Sequence, residues 1–262
     1  VVRLEGQIAS VSPAIETDLS GANLALSTAY HAFLQAESAV FYPDPEAEAG
    51  WSLPFGGLDE TSSWPETPGF AALDQSLAAY PSLPIAPFGS PGTRSEALEN
   101  LKAETQSLRT SLQDFATDWD PDFPDNFRNQ IFLPDSSAAT RKIFQGLLAV
   151  TDQLIFERSA SPNRDRLISR LEGIKGIYDG QYATLRYTTV WAPGLKSLVQ
   201  RAEPSASADL SETIDRLLEA WRNSSPLPDE DRSPSLEDLR KQIIGAAEAL
   251  GYPVESLPQA RP

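Results

Sequence analysis

Cysteine is absent from the 262 residues, and so is methionine. The first absence removes disulfides, thiolate metal sites and cysteine nucleophiles together. Histidine is nearly absent, since His31 stands alone. A zinc site built on two imidazoles, such as a His-Glu-x-x-His helix, is out of reach within one chain. A Ser-His-Asp triad would have to use His31, and no Gly-x-Ser-x-Gly elbow accompanies it. No run of 18 apolar residues exists, so nothing reads as a membrane-spanning helix. The chain opens at Val1 without a charged-then-apolar leader, which reads as a mature or trimmed form.

Basic residues are scarce as well. Lys and Arg number 21 against 37 Asp and Glu, for a net charge of −16. A surface that tracks nucleic-acid phosphates needs clustered Lys and Arg, so the balance argues against nucleic acid as a partner. It argues against charge-driven docking on anionic membranes for the same reason. What remains is a solvated acidic surface with some attraction for cations. Hydrophobic residues make up 40% of the chain, enough for a real core, and the length suits one large domain or two ordinary ones.

What is present is helical periodicity. Leu98, Leu101, Thr105, Leu108, Leu112, Phe115 and Trp119 follow at alternating steps of three and four, behind the capping-box pattern Thr93-Arg94-Ser95-Glu96. Further stripes run through Phe144, Leu147, Leu148, Thr151 and Ile155, and through Leu167, Leu171, Ile174, Tyr178 and Leu185, with Pro162 suited to the first turn of the latter. Leu210, Ile214, Leu217 and Trp221 make another. Leu236, Leu239, Ile243, Ala246 and Leu250 make the last, opened by Ser235 and Asp238 and stopped by Gly251 and Pro253. Two more helices are expected, from about Leu24 to Phe41 and from Gly69 to about Tyr80. Arg186 to Val190 is β-prone but short and reads as an extension or kink of the Leu167 helix. Pro-rich stretches separate the helices at 42–68 and 81–92, and a Pro- and Asp-rich link runs from Asp120 to Pro134. The expectation is an all-α protein of two packed helical bundles, residues 1–132 and 133–262.

Few residues are placed to carry chemistry. Glu37 follows Tyr30 by seven and precedes Phe41 by four, so it shares the apolar stripe of Leu26, Tyr30, Phe33 and Leu34 and should point inward. A buried carboxylate needs a cation, a metal or a strong donor. Asp74 is flanked by Phe70, Leu73 and Leu77 and is expected to face inward likewise. Two such oxygens would suit a hard cation or an arginine. The competing reading makes each a structural ion pair or a helix-dipole acid. Arg158 extends the Phe144 stripe and is a candidate partner for either acid, or a snorkelling arginine near a helix end. Trp64, with Trp51 and Phe55, would line a pocket mouth or form a small loop core. His31 lies at the flank of its stripe and reads as a boundary histidine. The acids from Asp118 to Asp125 fit no EF-hand spacing.

The order of these elements resembles the imelysin family. The similarity rests on Gly173-Ile174-Lys175-Gly176-Ile177-Tyr178-Asp179-Gly180, then Pro193-Gly194-Leu195, then Leu250-Gly251-Tyr252-Pro253-Val254. Trp64-Pro65 ahead of Gly69 is also similar. It runs from about Tyr30 to Val254. At Gly69-Phe70-Ala71-Ala72-Leu73-Asp74, family members carry Gly-x-His-x-x-Glu. Here the histidine position holds Ala71 and the glutamate position Asp74.

The resemblance implies a helical protein exported to the bacterial periplasm or cell surface, often as a lipoprotein, and linked to iron or other metal uptake. With the motif altered, no catalytic residue is assigned and enzyme activity is not expected. The expected role is binding of a small ligand or metal, or an accessory part in iron acquisition. Glu37, Trp64, Gly69, Asp74 and Arg158 are the candidate ligand contacts, and Glu37 and Asp74 the candidate metal ligands. One rival is a metallopeptidase with a site rebuilt from carboxylates. Another is a structural or docking module of an envelope complex, with an envelope protein as partner.

Overall fold

A computed structural model describes residues 16–40, 69–85, 92–118, 136–160, 163–183, 189–191, 194–224, 227–228 and 234–252, together with residue 9. The helices are α1 (Glu16–Val40), α2 (Phe70–Ala79), α3 (Arg94–Asp118), α4 (Ser136–Ala160), α5 (Arg164–Asp179), α6 (Leu195–Ala202), α7 (Pro204–Asn223) and α8 (Leu236–Ala249). A 3-10 turn, Tyr80–Ser82, continues α2. Strands β1 (Gln181–Ala183) and β2 (Thr189–Trp191) form one antiparallel pair, with Tyr182 opposite Val190. The described residues are all-α apart from this strand pair.

The described elements fall into two compact units. The first holds α1 up to Tyr30, α2, the 3-10 turn and α3; the second holds α1 from His31 onward and everything from α4 to α8.

In the second unit α8 packs on α4 and α7, while α5 packs on α4, α6 and α7. The stripes read from the sequence are the ones that meet. Phe144, Leu148, Leu171, Ile174, Leu217, Trp221 and Ile243 all lie in one buried cluster. In the first unit α2 packs on α3, burying Phe70, Leu73 and Leu77 with Leu101 and Leu108. Tyr30 closes on Phe70 with ring centroids 4.9 Å apart.

Local chemistry sets the helix ends. Glu96 N–H donates to Thr93 Oγ1 at 3.4 Å, and the Glu96 carboxylate accepts from Gly92 N–H, so the expected box at the start of α3 forms with a shifted partner. Ser235 and Asp238 make the full box on α8. Asn163 caps α5, its side chain accepting from Arg166 N–H at 3.2 Å.

One expectation is corrected here. The Leu167 helix ends at Asp179, and Thr189 and Val190, the described part of Arg186 to Val190, are strand and not its extension. Gly180 adopts φ 75°, a left-handed conformation that ends α5, and Thr189 to Trp191 pair back on Gln181 to Ala183. Glycine is the residue that enters this region at no steric cost. Leu185, assigned to the same stripe, lies outside the described residues, as do Pro162 and Trp119, and the side chains of Leu112 and Phe115 on α3 are likewise outside them.

Candidate functional site

The altered motif sits at the start of α2. Gly69 is the N-cap in extended conformation, φ −86° and ψ −178°, without a side-chain cap. Leu73 N–H donates to Gly69 C=O at 3.3 Å, closing the first turn. Asp74 is exposed, which corrects the inward placement expected for it. Its neighbours Phe70, Leu73 and Leu77 are buried at 1% exposure or less. At ~100° per residue Asp74 lies about 65° from the centre of their stripe, and the contact with α3 covers the other flank. Glu37 belongs to α1, but its side chain lies outside the described residues, and so does Trp64.

Among the described residues of this unit, Glu104 on α3 turns a carboxylate oxygen inward, which the sequence reading missed. It follows Leu101 by three and precedes Leu108 by four, the same signal that singled out Glu37. Glu104 Oε2 is closed off from solvent and has no hydrogen-bond partner. Burial raises its carboxyl pKa above the ordinary value, and a hydrogen bond from the Ser76 hydroxyl on α2 offsets part of the rise. One turn beyond Ser76, Tyr80 is buried with its hydroxyl likewise without a partner. Arg94 lies over the Tyr80 ring, 5.9 Å from the centroid, and donates to Leu83 C=O at 3.0 Å and to Pro81 C=O at 2.5 Å. These bonds tie the α2–α3 connection to the start of α3.

In the second unit α5 is buried on two faces. Leu167, Leu171, Ile174 and Tyr178 meet the apolar core, while Arg166, Ser169, Arg170 and Gly173 form a second buried face. Their spacing of i, i+3, i+4 and i+7 places them along one line. Arg170 is 3% exposed and pairs with Glu157 of α4, itself 6% exposed. His31 Nδ1 lies 2.6 Å from Ser169 Oγ, and Ser169 Oγ–H donates to Asp165 C=O at 2.9 Å. With the hydroxyl proton committed to the carbonyl, His31 Nδ1–H is the donor to Ser169. Gln35 Nε2 donates to Glu172 at 2.7 Å, and Arg222 donates to the other Glu172 oxygen at 2.6 Å. Gly173 makes this contact possible, because a Cβ there would overlap the Gln35 carbonyl. The sequence reading missed the whole face. Its signal was a second i, i+3, i+4, i+7 run on a helix already assigned one stripe.

Arg158 of α4 holds a loop of its own unit. Its guanidinium donates to Pro228 C=O and lies 5.6 Å from the Trp221 ring centroid. That is a cation–π anchor for the chain between α7 and α8.

No group of three or more His, Asp or Glu side chains is arranged to hold a metal ion among the described residues. The segment from Gly69 to Asp74 does not fit a site made of an imidazole and a glutamate: Ala71 has no donor atom and Asp74 faces water. Among the described residues, no helix is long and apolar enough to cross a membrane.

The family model for imelysin, peptidase M75, matches residues 13–257, and the chain belongs to the imelysin family. Among curated proteins none matches the chain.

Proposed function

We propose that this is a non-catalytic imelysin, exported to the periplasm or cell surface, that binds a small ligand or metal as an accessory in iron acquisition. The observation that supports this best is the engagement of His31. It is the single imidazole of the chain, and its Nδ1 is spent on Ser169 in the second unit. Peptidase zinc takes imidazole ligands and activates a bound water between them. Ala71 supplies none, so the motif segment lacks the donor that such chemistry needs. Asp74 keeps an accessible carboxylate at the opening of α2, and we assign it, with Gly69, to ligand contact. Trp64 precedes them in the chain, and Glu37 is a separate candidate carboxylate of the second unit.

The test uses the purified chain incubated with iron, zinc, manganese or calcium, followed by elemental analysis and an assay on unfolded casein. Metal retained by the chain and lost in Asp74→Ala, without casein cleavage, is the expected result. Cleavage that a chelator abolishes would overturn the non-catalytic reading and favour the rebuilt metallopeptidase.

A further inference from the structure

Glu104 is the group that neither the family motif nor the proposed ligand contacts use. Glu104 is half-buried: one carboxylate oxygen is closed off without a partner, and the Ser76 hydroxyl across the α2–α3 contact donates to the group. Burying a carboxylate without a cation or several donors costs free energy. Among the described residues, burial and the Ser76 hydroxyl are what act on the Glu104 carboxyl, and no cation is among them. Helix α2 carries Asp74 and no basic residue, and the turn after it carries Tyr80. The first-unit part of α1 carries Asp18 and Tyr30. On α3 itself, Lys102 pairs with Glu99 at 2.8 Å, Arg94 is bound to the Pro81 and Leu83 carbonyls, and Arg109 lies five residues beyond Glu104. Glu96 adds like charge on the same helix.

A metal or organic ligand would have to open the hairpin to reach the closed-off oxygen. A proton needs no added room. We propose that Glu104 is a proton-operated latch: the α2–α3 hairpin is held most tightly when the Glu104 carboxyl is protonated, and it loosens when that carboxyl ionises. The sign follows from linkage. A carboxyl with its folded-state pKa raised holds its proton more firmly in the folded hairpin than in the unfolded chain. Below the ordinary carboxylate range both states are protonated and no penalty exists. As pH rises through the raised folded value, the full cost of the buried charge appears. Because α2 carries Gly69 at its cap and Asp74 on its outer face, acid tightens the scaffold of the motif segment, whatever binds there.

The experiment compares the full chain with Glu104→Gln, a neutral isostere, and Glu99→Gln, an exposed control on the same helix. Thermal melting and amide exchange of the α2 segment, corrected for intrinsic rates, are followed from pH 4 to 7.5. At pH 7.5 the Glu104→Gln hairpin should melt higher and its α2 amides exchange about two- to fivefold more slowly. The difference should close toward pH 4, with no such trend for Glu99→Gln. A Glu104→Gln chain that melts lower at every pH, or an offset that ignores pH, would overturn the proposal. In the unsubstituted chain, α2 exchange with no pH trend beyond the intrinsic one would overturn it as well, whether or not the variant folds.

Discussion

Glu157 and Glu104 both turn a carboxylate toward the interior, one in each unit, and their surroundings differ. Glu157 is 6% exposed and meets the guanidinium of Arg170, which is 3% exposed. Glu104 is less deeply placed and meets one hydroxyl. The first arrangement holds two charges out of water by pairing them, which stabilises little on balance but makes either partner costly to lose. The second leaves a single charge undercompensated, so its neutral form is favoured. Depth and partner together, not burial alone, decide whether a buried acid fixes a helix contact or makes it respond to pH.

The largest effect tests the paired case. Arg170→Met should leave Glu157 buried without its cation and cost about 3–5 kcal/mol in denaturant unfolding. The double variant Arg170→Met with Glu157→Leu should recover most of that loss. If Arg170→Met leaves stability unchanged, the contrast between the units collapses. Next comes Gly173→Ala, whose Cβ would overlap the Gln35 carbonyl. It should cost about 1–3 kcal/mol and weaken the protection of α1 amides beyond His31 in hydrogen exchange. A neutral Gly173→Ala would mean the α1–α5 contact has slack, and the polar face would owe its burial to the arginines alone.

A third carboxylate sharpens the comparison because its sign is opposite. The Asp238 pKa is lowered, first by the Ser235 backbone N–H and then by the Ser235 side chain, within the box that opens α8. Its stabilisation is present above the ordinary carboxylate value and is lost as pH falls through the lowered folded value. Ser235→Ala should cost about 1 kcal/mol at neutral pH. The smallest expected effect is the gain of a few degrees in melting for Glu104→Gln at pH 7.5. Melting curves of both variants across pH should diverge in opposite directions. Parallel curves would show that neither local environment controls the acid it surrounds.

Much of the fold was legible in the sequence because helix burial has a period. Leu101, Leu108, Phe144, Leu148, Leu171, Ile174, Leu217, Trp221 and Ile243 were picked by steps of three and four and are all buried. The boxes at Thr93 and Ser235 were legible because the hydrogen bonds that cap a helix lie within four residues. The end of α5 was misread. A β-prone run after a long apolar stripe looks continuous with it, and only the left-handed Gly180 and pairing with Gln181 to Ala183 show the break. Less of the candidate site was legible. The second face of α5 contains two arginines, a serine and a glycine, residue types that read as surface until a partner helix covers them.

The sequence by itself determined which chemistries are closed to this protein and where its helices run. Absent cysteine, a single histidine and an acidic balance are facts of composition, and helix positions follow from local periodicity and capping. Tertiary structure alone decided which polar groups leave water. Asp74 and Glu104 each sit about 65° from the centre of an apolar stripe, at ~100° per residue. Yet Asp74 is exposed and Glu104 has an oxygen closed off from solvent. Periodicity fixes the middle of a buried face, but the flank that a neighbouring helix covers depends on how the two helices pack.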